Sequence, residues 1–243
     1  MIRITVWNEF IHEKEMAEVR EIYPQGIHNC IGDFLKINED MEVQTAVLEQ
    51  PENGLTDEVL AKTDVLIWWA HTAHDKVSDE VAYKVQKRVQ EGMGFIALHS
   101  AHLAKPFLRL MGTSGSLLWR DNDFERLWNI APSHPIAAGV GQYIELDKEE
   151  MYGERFDIPA PDELVFLGWF AGGEVFRSGC CWTRGRGRVF YFQPGHETNP
   201  VYRNPEIQKI ITNAVRWAAP TTESVPVGCT HAEVSPEQKR NEK

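Results

Sequence analysis

An α/β fold built on a mostly parallel sheet is predicted by three observations. Apolar runs and helical patterns alternate through the first half of the chain, which implies parallel strands joined by right-handed crossovers. The runs Val65–Trp69, Gly94–Leu98 and Val189–Phe192 are apolar almost throughout, as strands buried on both faces must be. Each run then stops on histidine: His71 and His74 after the first, His99 and His102 after the second, His196 after the third. Ligands bind where the strands of an open α/β sheet give way to helices, so these ends are also the first place to look for a site.

The elements follow in order. Ile2–Val6 reads as the first strand, and Trp7–His12 as the loop leaving it. Glu13–Ile22 has helical character and is broken by Pro24; a second helix opens at Gly26 and runs to about Ile37, with Ile27, Ile31, Phe34 and Leu35 at helical spacing. Val43–Leu48 alternates as a strand. Thr56 is placed to cap a helix over Asp57–Lys62, and Ser78 to cap one reaching Glu91, where Val81, Val85 and Val89 recur every four residues. Gly92 and Gly94 end that helix, and another is expected over Leu103–Met111. From Gly112 to Pro161 no clean period survives, and a structured excursion over the strand ends is expected. Short antiparallel strands are expected over Leu164–Trp169, Val175–Arg177 and Cys180–Thr183, with a Gly172-Gly173 hairpin turn between the first two. Pro205 opens the last helix. A single domain over residues 1–219 is expected, followed by a polar tail, 220–243, that is either mobile or docked on a partner.

Composition narrows the function. A net charge of −11 argues against nucleic acid and against an anionic membrane surface as partners. No apolar run approaches the roughly 20 residues that span a bilayer, and the start of the chain reads as a strand, so the cytoplasm is the expected compartment. Cys30, Cys180, Cys181 and Cys229 form no Cys-x-x-Cys pair, and Cys180 and Cys181 should point to opposite faces of one strand as free thiols.

Six of the nine histidines, His12, His71, His74, His99, His102 and His196, lie just past a predicted strand. Parallel strands deliver those ends to one edge, where imidazoles distant in sequence can meet. Three convergent histidines with a carboxylate, and one position left for water, make a catalytic site for a divalent metal, with zinc the first expectation. His71 and His99 lie nearest their strand ends and are the first candidate ligands, with His12 third. His74 and His102 stand a turn further on, His28 at a helix start near the same edge. His196 and Glu150 are the candidate proton-transfer groups, and Glu197 a further carboxylate. Any one of these histidines alone reads more simply as a helix cap or a half-buried ring; the set reads as a site. Ser100 occupies a strand–turn–helix position where a nucleophile can be projected, but without glycine flanks it reads first as a helix cap.

The segments Trp7-Asn-Glu-x-x-His12, Tyr23-Pro-x-Gly-Ile-His28, Trp68-Trp-x-His-x-x-His74-Asp75, Leu98-His-Ser-Ala-His102, Glu150-Met-Tyr-Gly153 and Pro194-Gly-His-Glu197 resemble the ThuA-like family of trehalose-utilisation proteins over residues 1–219. The resemblance implies a flavodoxin-like parallel sheet with flanking helices, similar to class I glutamine amidotransferases. It also implies a role with disaccharides such as trehalose, through 3-keto sugars made by a partner dehydrogenase. Carried over, Ser100 takes the amidotransferase elbow and His196 with Glu197 echoes its late His-Pro-Glu. Serine in place of cysteine excludes a glutamine-hydrolysing thiol mechanism. Three functions are therefore expected: a metal-dependent hydrolase, lyase or isomerase of a carbohydrate derivative, first; a serine hydrolase using Ser100 and His196, second; a non-catalytic sugar-binding or regulatory protein, third. The tail and the sheet edge are the expected contacts of any homo-oligomer.

Overall fold

A single nine-stranded sheet runs the width of the molecule in the order β2-β1-β3-β4-β9-β8-β7-β5-β6. The computed structural model describes residues 1–229 and 231–241. Its parallel half comprises β1 (Ile2–Asn8), β2 (Met41–Val47), β3 (Val65–Trp69), β4 (Gly94–Leu98) and β9 (Gly187–Phe192). The antiparallel half adds β5 (Leu118–Asn129), β6 (Tyr143–Gly153), β7 (Glu163–Phe170) and β8 (Val175–Arg184). The predicted strands Val175–Arg177 and Cys180–Thr183 are thus one.

Two apolar layers cover the sheet because strand side chains alternate between faces. Ile67, Trp69, Ile96, Leu98, Phe190 and Phe192 pack under α3 (Ile27–Lys36) and α7 (Pro205–Ala218). Leu66, Trp68, Phe95, Ala97, Val189 and Tyr191 pack under α5 (Asp79–Glu91) and α6 (Lys105–Met111). Cys181 lies in the first layer and Cys180 in the second, both free thiols, as the alternation requires. Thr56 accepts from the Val59 N–H to cap α4 (Asp57–Ala61), and Ser78 accepts from the Val81 N–H to cap α5.

Three further expectations are corrected. The helical stretch Glu13–Ile22 is two short helices, α1 (His12–Glu15) and α2 (Ala17–Ile22), separated by an extended Met16. The helix expected from Leu103 starts at Lys105, because His99–Leu103 forms a 3-10 turn. The excursion over 112–161 is not irregular: it holds the two longest strands, β5 and β6, which continue the sheet. Their pairing shifts register between Arg120 and Asp123 and again between Asp123 and Glu125, which breaks the period-two pattern by which strands are recognised. After α7, the Ser224 hydroxyl and the Val225 N–H both reach the Glu91 carbonyl at the end of α5, so the start of the tail lies on the domain's own surface. No described helix is long and apolar enough to cross a membrane.

Candidate functional site

Register brings the strand ends together. Asn8 pairs with Trp69, Trp69 with Leu98 and Leu98 with Phe192, so four parallel strands stop in one row. The residues just beyond that row are Glu9 and His12, His71, His99, and Gln193 to Glu197. β6 points the same way and carries Glu149, Glu150 and Tyr152 to the same edge. The ligand atoms of His71, His99, Glu150 and His196 lie within 4.8 Å of one another, and those of His12, His71 and Glu197 form a second such group. Among the three histidines first expected as ligands, His71 and His99 therefore meet, while His12 shares a group with His71 and not with His99.

Hydrogen bonds fix which nitrogen each ring offers. His99 Nδ1 lies 2.9 Å from the Gln193 carbonyl, which only accepts, so Nδ1 carries a proton and Nε2 faces the site. His71 Nδ1 lies 3.0 Å from Glu197 Oε1 and by the same logic leaves Nε2 as its free lone pair. His196 is the opposite case. Its Nδ1 accepts from the Thr198 N–H at 3.3 Å and lies 2.8 Å from the Thr198 hydroxyl, so the neutral ring holds its proton on Nε2. Glu150 Oε2 is 3.0 Å from His99 Nε2, yet the two are not aligned as donor and acceptor, and Oε2 has no hydrogen-bond partner. Two atoms this close that do not point at each other fit ligands converging on a third body.

Electrostatics reinforce the contrast. Burial opposes charge on His99, but contact with Glu150 and the negative field of Glu149 outweigh it and raise the imidazole to about 9. Burial would likewise raise Glu150; its contact with His99 and the other imidazoles brings it instead to about 2. Burial and the charge of His99 lower His196 to about 4, so that ring is neutral at pH 7. Without a cation the site is rich in ionised carboxylate. Glu197, buried beside His71, is brought to about 2, and Glu9 also to about 2 by His12 and the backbone amides of the His71 loop against the cost of burial.

Three of these acids act as clamps. Glu9 accepts from the N–H groups of Thr72 and Ala73, tying the β1 exit to the β3 exit. Glu149, wholly buried in β6, accepts from the N–H groups of Glu150, Gly195 and His196, which sets the loop carrying His196. Glu197 orients His71, and His12 Nε2 stands 3.8 Å from the same carboxylate. Glu149 and Gln193 are the residues sequence reasoning undervalued. Glu149 reads as a solvated loop acid, and Gln193 contributes through its backbone carbonyl, which side-chain chemistry never signals.

The remaining candidates fall outside the central group. The strained residue of the β4 turn is His99, with φ +53°, rather than Ser100. Ser100 is buried with its hydroxyl 2.7 Å from that of Tyr152, whose ring stacks on His99 at 5.1 Å; no hydrogen bond joins Ser100 to His196 among the described residues. His102 lines the cavity but stays outside the group, Nδ1 on the Gly115 carbonyl at 2.7 Å and its ring against Tyr152, Phe156 and Tyr191, and burial brings it to about 3. His28 sits under Phe10, 3.0 Å from the Asn8 amide, and is brought to about 4 by burial. His74 is half-buried with neither nitrogen hydrogen-bonded. A cavity of about 880 Å³ opens over the group, lined by His12, His71, Glu150, Tyr152 and His196 and, at its mouth, by Met16, Trp119 and Lys148.

Solved structures share this architecture. A ThuA-like protein from Parabacteroides merdae superposes with a TM-score of 0.68 at 14% identity, covering 91% of this chain and 92% of that one. A ThuA-like protein from Bacteroides uniformis gives 0.61 at 13% identity, with 89% and 91% covered. The cytoplasmic protein STM3548 from Salmonella typhimurium gives 0.60 at 10% identity, with 90% and 100% covered. At these identities the likeness speaks for the fold alone. Comparison with the curated proteins finds no match. The family model described as ThuA, trehalose utilisation, matches residues 3–218. With nearly the whole described domain inside that match and the fold shared with ThuA-like structures, the chain belongs to the ThuA trehalose-utilisation family.

Proposed function

We propose that this protein is a metal-dependent enzyme acting on a sugar or keto-sugar, with His71, His99 and Glu150 holding one divalent ion, zinc being the best fit. The observation that carries the proposal is the tautomer pattern: two imidazoles have Nδ1 held by an acceptor and turn Nε2 to the site, that of His99 meeting only the Tyr152 hydroxyl at 3.4 Å, beside a buried, unpartnered carboxylate oxygen. Two histidines and a glutamate, with a position left open, form a recognised catalytic zinc set. A bound ion would supply Lewis acidity toward a sugar carbonyl or a water in the cavity. His196 has a different role in this reading. With Nδ1 held by Thr198 its proton sits on Nε2, and as a neutral ring it donates a hydrogen bond to the reacting oxygen. Tyr152, stacked on His99, and Ser100 behind it close the floor against bulk water. Glu150 serves as ligand here rather than as proton carrier, and Ser100 is not the nucleophile.

The ligand is taken to be a small carbohydrate, in keeping with the family's description and the polar floor of the cavity; the negative surface disfavours nucleic acid. The cytoplasm, where the Salmonella relative's description places that protein, is the proposed compartment. Elemental analysis of protein purified without chelator should find about one ion per chain. His71→Ala and His99→Ala should each lose it, whereas His196→Ala should keep it. Metal-free wild-type protein that gains no thermal stability on addition of zinc would overturn the proposal.

A further inference from the structure

We infer that Trp119 is the stacking platform of a second sugar subsite, so that the cleft is built for a two-ring substrate rather than a single monosaccharide. The inference rests on the sugar reading above and adds to it the size of the ligand and the residue that selects it.

Trp119 stands in β5 directly opposite Tyr152 in β6. Cross-strand partners share a face of the sheet and lie about 5 Å apart. Tyr152 is buried and stacked on His99 at 5.1 Å, so the indole stands one strand spacing beyond Tyr152, on the side away from the reacting centre. Both residues line the same cavity.

The indole is 62% exposed, and among the described residues no aromatic ring or cation pairs with it. Trp128, at the other end of β5, shows what an exposed tryptophan does when its role is structural. It packs against Tyr143 at 5.2 Å with the rings tilted, and is covered by the Arg126 guanidinium at 5.8 Å. Trp119 lacks such a cover, yet its backbone is held firmly. The next residue, Arg120, is paired with Asp123 and, at 2.8 Å, with Glu174, and the register shift that follows bends the strand beside the cleft. A rigidly mounted, uncovered indole at the mouth of a cavity has the geometry by which an aromatic ring meets the apolar face of a sugar. Lys148 and Asp121, lining the same mouth, supply polar partners for hydroxyls around that ring.

The test is calorimetric titration of the metal-loaded protein with trehalose and with glucose, using wild type, Trp119→Ala and Trp119→Phe, with metal content measured in each. Trp119→Ala should weaken trehalose binding about tenfold and leave glucose binding and metal content unchanged, and Trp119→Phe should recover most of the loss. Trehalose bound equally by wild type and Trp119→Ala, or trehalose and glucose weakened by the same factor, would overturn the subsite while the sugar reading stands. Failure of the wild-type protein to bind either sugar would overturn the sugar reading and the subsite with it. Conversion of an oligomer to a monomer by Trp119→Ala would overturn the subsite by making the indole a protein contact.

Discussion

At the scale of single residues, the candidate site depends on acids whose partners are the protein's own backbone and side chains. Glu149 is the clearest. One buried carboxylate satisfies three backbone N–H groups, and two of them belong to the loop that presents His196. Burial raises its pKa, offset in part by His99 and by those amides, so the position is costly and held by its partners. A glutamine there offers one accepting oxygen and an amide that faces N–H groups instead of receiving them. Glu149→Gln should therefore destabilise the fold by about 2–3 kcal/mol, the cost of leaving buried donors unpaired. Urea denaturation would register this as a lower midpoint at unchanged slope. An unchanged midpoint would mean that the loop holds its conformation without the clamp.

At the scale of elements, the helix ends in the first half of the chain were legible because their chemistry is local. Thr56 and Ser78 are hydroxyl residues placed before acidic first turns, and both cap the helices they were expected to cap. Ser78→Ala should cost about 1 kcal/mol, measurable as a small drop in thermal midpoint with no change in metal content. The strands β3, β4 and β9 were equally legible, since burial on both faces leaves an uninterrupted apolar run. β5 and β6 were not. β5 carries Arg120, Asp121, Asn122, Asp123, Glu125 and Arg126, and its alternation is broken twice by register shifts. Its buried acids, Asp123 and Glu125, have partners or neighbours supplied from elsewhere in the chain: Asp123 accepts from the Ala171 N–H just past β7, and Glu125 lies beside Ser178 in β8. Polar residues whose burial depends on distant partners look, from within the segment, like a loop.

At the scale of the whole molecule, the titrating groups set opposite limits on stability. In metal-free protein His28 and His196 lie at about 4 and His102 at about 3, below the ordinary 6.5. As pH falls below 6.5 the unfolded chain takes up protons that the fold refuses, so stability declines. Glu9, Glu150 and Glu197, each at about 2, add a second loss: their contribution is present above 4.5 and disappears as pH falls toward 2. His99 works in the other direction. Raised to about 9, it contributes fully below 6.5, and that contribution is lost as pH rises through 9. The thermal midpoint of chelator-treated protein should therefore peak near pH 6.5 and fall on both sides. A midpoint flat between pH 6.5 and 9 would show that His99 is not held protonated by Glu150.

The sequence by itself determined the strand ends on which the histidines sit, the parallel arrangement that sends those ends to one edge, and the family. The first two follow from local periodicity and from the handedness of crossovers, which short stretches of chain carry on their own, and the third from the resemblance of short motifs. Tertiary structure alone decided which imidazoles share a centre. The row Asn8–Trp69–Leu98–Phe192 sets the depth of each strand end, Glu197 and the Gln193 carbonyl choose the nitrogens that His71 and His99 present, and β6 brings in Glu150 from a segment with no readable period. Each of these is a contact between residues far apart in sequence, and neither spacing nor composition records it.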